Sequence, residues 1–78
     1  MMITILLFAH LQETVGKDRI ELPIEQLTVM ELKTALKQTY PLLELDHVMT
    51  AVNEEFARDN SKVTAGDIVA FIPPVSGG

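Results

Sequence analysis

The sequence predicts an α+β domain, a small mixed sheet of about five strands covered on one face by one main helix. Three observations lead there. Apolar, strand-like runs stand near both ends of the chain, at Met2–Phe8 and Ile68–Ile72. One amphipathic stretch, Leu27–Tyr40, lies between them with its own start and stop signals. Short strand-like runs bounded by turn residues fill the remainder, giving the order β, β, α, β, β, β. One helix laid across one sheet buries the apolar side of each.

Met2–Phe8 (MITILLF) alternates, with Ile3, Ile5 and Leu7 on one side and Met2, Thr4, Leu6 and Phe8 on the other. Both sides are mostly apolar, which argues for an interior strand; Thr4 marks the even-numbered side as the less buried. His10–Val15 carries Leu11, Thr14 and Val15 at helical spacing and meets a stop at Gly16, so a helical turn is expected. Arg19–Leu22 is a short strand closed by Pro23.

The clearest helix start is LTVMEL. Thr28 and Glu31 have capping-box spacing, and Leu27 with Leu32 can staple the entry. Val29, Leu32, Leu36 and Tyr40 then form an apolar face, with Lys33 and Lys37 on a solvated one. Tyr40-Pro41 ends the helix, because the residue before proline disfavours α geometry. Leu42–Asp46 fits a loop or a second short helical turn. Val48–Val52 reads as a strand, Asn53-Glu54-Glu55 as a turn, and Phe56–Arg58 as the returning strand. Asp59-Asn60-Ser61 is loop material, and Gly66-Asp67 is a turn that launches Ile68–Ile72. The first and last strands are the most apolar and are expected side by side at the centre.

With 78 residues, one domain is expected. Such a chain buries roughly 60% of its surface and has little room for a deep pocket of some 300 Å³ or more. A partner is expected to supply much of any small-molecule site. Hydrophobic residues make up 47% of the chain and mean hydropathy is +0.24, so an exposed apolar patch and a protein partner are expected. The formal charge of −5 suits a partner with a basic rim and is a poor match for nucleic acid or anionic membranes. The chain holds no cysteine, which excludes disulfides, thiolate metal sites and a thiol nucleophile, and is consistent with a cytoplasmic location. Met1–Ala9 is apolar but too short to span a bilayer and lacks the basic leader of a signal peptide.

The segment FIPPVSGG, Phe71–Gly78, is built unlike an inert end. Pro73 and Pro74 fix φ and donate no backbone hydrogen bond, so they stop strand pairing and lower the entropy lost on binding. Gly77 and Gly78 have no Cβ, so catalytic groups of another protein can approach the last carbonyl closely. Six extended residues reach roughly 20 Å, enough to enter a partner. The bland alternative is a frayed terminus with incidental glycines.

Three stretches carry a family resemblance over essentially the whole chain: MITILLFAHLQETVG, AVNEEFA and GDIVAFIPPVSGG. The chain resembles the small subunits of molybdopterin synthases, sulfur carriers of the ubiquitin-like β-grasp fold. The resemblance implies a β-grasp domain over residues 1–72 and a flexible, extended tail over residues 73–78. It implies that an ATP-using activating enzyme adenylates the Gly78 carboxylate and that a sulfur donor converts it to a thiocarboxylate. The tail then enters the large synthase subunit, where its sulfur helps to build the molybdopterin dithiolene. Gly78 would carry the reacting group, Gly77 would give clearance, and Pro73, Pro74, Val75 and Ser76 would guide the tail. The chain would hold no stable cofactor and would act within a cytoplasmic heterotetramer, with base, acid and substrate-binding groups on the large subunit.

Positions matching Phe8, Phe56 and Ile72 form, in that family, an apolar surface that contacts the activating enzyme and the large subunit. The residues themselves leave the ordinary alternative open, since large apolar side chains are usually core. Two other carrier readings also end in Gly-Gly: a sulfur carrier for thiamine thiazole synthesis, and a ubiquitin-like modifier joined to lysines. The diproline favours the first reading over the thiazole carrier. A plain interaction module with an incidental tail is the reading of a different class.

Other candidates point to ordinary structure. His10 and His47 are far apart in sequence and bring no third metal ligand. Glu54 and Glu55 read as solvated turn charges rather than a catalytic pair. Ser76 has no histidine placed to activate it. Gly66 is a turn glycine without a phosphate-binding loop.

Overall fold

The computed structural model describes residues 1–74. Val75, Ser76, Gly77 and Gly78, on which the tail expectations fall, lie outside the described residues.

The elements run in order as β1 (Ile3–Leu7), α1 (His10–Val15), β2 (Arg19–Leu22), β3 (Gln26–Thr28), α2 (Val29–Thr39), β4 (Met49–Val52), β5 (Glu55–Ala57), β6 (Lys62–Thr64) and β7 (Ile68–Ile72). Five strands form a mixed sheet in the order β2-β1-β7-β4-β5. The apolar terminal strands β1 and β7 are parallel neighbours, and the other pairs are antiparallel. This is the mixed sheet with one main helix that the apolar patterning predicts.

One face of the sheet is sealed by α2. Ile3, Ile5 and Leu7 of β1, with Val69 and Phe71 of β7, are buried against Val29, Leu32 and Leu36 of the helix. Tyr40 and Leu27 pack at the margin of this core. Leu43 and Leu45 are buried as well, although Leu42–Asp46 contains no helix. The segment is a loop whose two inward leucines plug the core beside α2.

The helix begins where the capping-box spacing places it. Glu31 N–H donates to Thr28 Oγ1 (3.1 Å), and Thr28 N–H donates to Glu31 Oε1 (2.8 Å). The next two unpaired amides are met from outside the helix. Val29 N–H donates to Ser61 O (3.0 Å), and Met30 N–H to Asp59 O (2.9 Å). The Asp59–Ser61 loop thus completes the helix N-terminus, where four amides otherwise lack partners. Lys33, expected on a solvated face, is half-buried and pairs with Asp59 at 2.9 Å. Lys37 remains exposed.

The second, two-stranded sheet, β3 with β6, is absent from the sequence reading. Each strand has three residues, too short to show alternation against flanking turn residues. Among the described residues, no helix is long and apolar enough to cross a membrane.

Candidate functional site

The face of the sheet away from α2 is left open. Register fixes what it displays, because directly opposed residues share a face. Leu6 stands beside Ala70, Ala70 beside Ala51, and Ala51 beside Phe56. This row crosses four strands and is apolar throughout. On one side of it Ile72 stands opposite Met49, with Phe8 just past the end of β1; on the other, Ile68 stands opposite Thr4. Val69 and Phe71, which alternate with Ile68, Ala70 and Ile72, face the core.

Two alanines at the centre leave a hollow. Larger side chains surround it: Leu6, Phe8, Phe56, Ile68 and Ile72 line a shallow open trough of about 640 Å³. Phe8 is 45% exposed and Phe56 78% exposed. Ile72 is half-buried. The structure therefore brings Phe8, Phe56 and Ile72 to one surface and keeps all three out of the sealed core. Sequence reading missed Ala51 and Ala70, whose smallness makes the trough. Ala70 is the one small residue at the centre of β7, but Ala51 matters only because register sets it opposite Ala70.

The polar end of the trough is the β4–β5 hairpin. Val52 pairs with Glu55, so Asn53 and Glu54 form a two-residue loop. Both have positive φ, 51° and 71°. That is the backbone a type I′ hairpin demands, and it suits asparagine far better than glutamate. Asn53 is used structurally at both ends of its amide. Its Nδ2 donates to Asp67 Oδ1 (3.0 Å), while Ile68 N–H donates to its Oδ1 (3.0 Å). Thr64 N–H donates to Asp67 Oδ2 at 2.9 Å. These bonds, led by the one from the Thr64 amide and followed by the Asn53 amide, hold the Asp67 carboxyl below its ordinary value. One carboxylate therefore joins the β4–β5 turn to the Thr64–Asp67 turn. Gly66 occupies the latter with φ 97°.

At the other end of Phe8, Ala9 adopts φ 52° and ψ −131°. A side chain is strained there, and the residue aims the chain from Phe8 into α1. Gly16 closes that short helix in the left-handed region, its N–H donating to Gln12 O.

Pro73 and Pro74 follow β7 directly. They line a second depression with His10, Glu44, Asp46 and His47. The two histidines, distant in sequence, thus line one depression beside Pro73 and Pro74. Among the described residues, no three acidic, histidine or cysteine groups are arranged to hold a metal.

Comparisons with known proteins add an independent finding. The model of the ThiS family matches residues 5–78. The molybdopterin synthase sulfur carrier subunit of Dictyostelium discoideum is 44% identical, over 95% of this chain and 93% of its own. The crystal structure of SAMP1 from Haloferax volcanii superposes with a TM-score of 0.85 at 31% identity, covering all of both chains. In fold alone, the chain also matches one in the complex of subunits 1 and 2 of molybdopterin-converting factor from Helicobacter pylori, with a TM-score of 0.71, 21% identity and full coverage of both chains.

Proposed function

The chain belongs to the ThiS family and, within it, to the molybdopterin synthase sulfur carrier subunits; from that premise we propose how its residues carry sulfur. The observation that supports the reading most is the course of β7. The strand displays Ile68, Ala70 and Ile72 on the open apolar face and runs straight into Pro73-Pro74. A partner seated on that face therefore sits next to the root of the tail.

In this role the body is a handle and Gly78 is the reacting end. The activating enzyme joins the Gly78 carboxylate to the α-phosphate of ATP, and pyrophosphate leaves. Sulfide-level sulfur from a donor then attacks the acyl carbon, the bond to phosphate breaks, AMP leaves and a thiocarboxylate remains. That anion is a strong nucleophile for the pterin precursor bound to the large subunit, and it supplies what a cysteine would supply on a chain that has none. Gly77 keeps side chains away from the reacting carbonyl, while Pro73, Pro74, Val75 and Ser76 lead the tail into the partner. Phe8, Phe56 and Ile72 seat the body on the activating enzyme and on the large subunit in turn. The working assembly pairs two carriers with two large subunits.

Deleting Gly77-Gly78 tests this directly. The shortened chain is expected to bind the large subunit as the full chain does and to form no molybdopterin. Retained product formation would remove the tail from the chemistry. A second reading has one observation behind it, the likeness to SAMP1, a small archaeal modifier protein. Lysine-linked adducts of this chain in cell extract, abolished by the same deletion, would support that use.

A further inference from the structure

We propose that Glu54 is the specificity-determining charge of the open face, pairing with a guanidinium or ammonium group on the large subunit. The inference rests on the docking reading above. Among the described residues, two polar side chains line the trough, Asn53 and Glu54. Asn53 is committed to Asp67 and to the Ile68 amide. Glu54 is exposed, and among the described residues the one ion pair is Lys33–Asp59 on the opposite side of the sheet. Its carboxylate is thus free to meet a charge brought by whatever covers the apolar surface.

The backbone supports the assignment. Glu54 holds φ 71°, which glycine adopts without cost and glutamate does not. The hairpin does not need a carboxylate to turn, so its presence there is not explained by folding. At the β2 margin the same face carries both signs, Arg19 beside Leu6 and Glu21 beside Thr4, whereas Glu54, in the β4–β5 turn, is the one charge among the described residues that lines the trough itself. Apolar contact gives most of the affinity; the rim charge chooses the partner and speeds encounter.

The measurement is binding of the full chain to the cognate large subunit across a range of ionic strength. Glu54→Gln removes the charge at nearly constant shape and Glu54→Lys reverses it, and both leave a non-glycine side chain at the same positive φ. Glu54→Gln is expected to bind about threefold more weakly and to lose much of the salt dependence shown by the parent. Glu54→Lys is expected to bind about tenfold more weakly or worse, mostly through slower association. Phe56→Ala, on the same surface, is the control for docking itself. If Phe56→Ala weakens binding while both Glu54 variants match the parent at every salt concentration, the assignment of Glu54 is overturned and the docking reading stands. If Phe56→Ala also binds as the parent does, the docking reading falls and takes this inference with it.

Discussion

Single residues carry three separable burdens here: turning the chain, tying turns together and facing a partner. Ala9 turns the chain at φ 52°, ψ −131°, where only glycine is unstrained. Ala9→Gly is therefore expected to raise stability by about 0.5–1 kcal/mol, the strain relieved less the entropy that glycine loses. Denaturant unfolding reads that difference. Asp67 ties the turns. Removing its carboxylate in Asp67→Ala breaks the exposed hydrogen bonds from the Thr64 amide and the Asn53 side chain, at an expected cost of about 1 kcal/mol. Its pH dependence has a definite sign. The folded carboxyl is held below its ordinary value of 3.8, so the unfolded chain takes up the proton first. The stabilisation is complete above that ordinary value, fades as the pH falls below it, and is gone once the lowered folded value is passed. Stability measured between neutral and strongly acid pH should show this loss in the parent and not in Asp67→Ala.

At the scale of elements, local signals and tertiary support divide the work. The α2 capping box rests on Thr28 and Glu31. Thr28→Ala is expected to cost about 1 kcal/mol by denaturant unfolding. Leu36→Ala, which empties a site sealed between helix and sheet, is expected to cost about 2–5 kcal/mol. The same division explains what could be read in the sequence. The long periodic elements β1, α2 and β7 were legible because alternation and capping speak locally. The β3–β6 pair was not, since three residues per strand carry no period and their partners lie far along the chain. The pairing of Lys33 is invisible in the sequence because its partner, Asp59, is contributed by a loop that only the fold brings near.

For the molecule as a whole, the arrangement is a sheet with one face sealed by a helix and the other left apolar and open. In β7, Ile68, Ala70 and Ile72 share a side by alternation, but alternation does not say which side the helix covers. The trough itself was illegible. It arises from Ala70 meeting Ala51 across a strand pair that only register defines. Phe56 shows what the open face is not for: being 78% exposed, it contributes little to folding. Phe56→Ala is expected to change stability by no more than about 0.5 kcal/mol while weakening partner binding by about tenfold or more. A surface this apolar and this dispensable to the fold is suited to meeting other proteins, and β7 delivers Pro73-Pro74 at its edge. On the proposed function, the body presents Gly78 for activation and sulfur loading. The most direct measurement is intact mass after incubation with the cognate activating enzyme, ATP and a sulfur source, followed by fragmentation to locate the change. A gain equal to sulfur minus oxygen, confined to Gly78 and absent after deletion of Gly77-Gly78, is the expected result. No gain under conditions that load a known carrier, or a gain elsewhere in the chain, would contradict it.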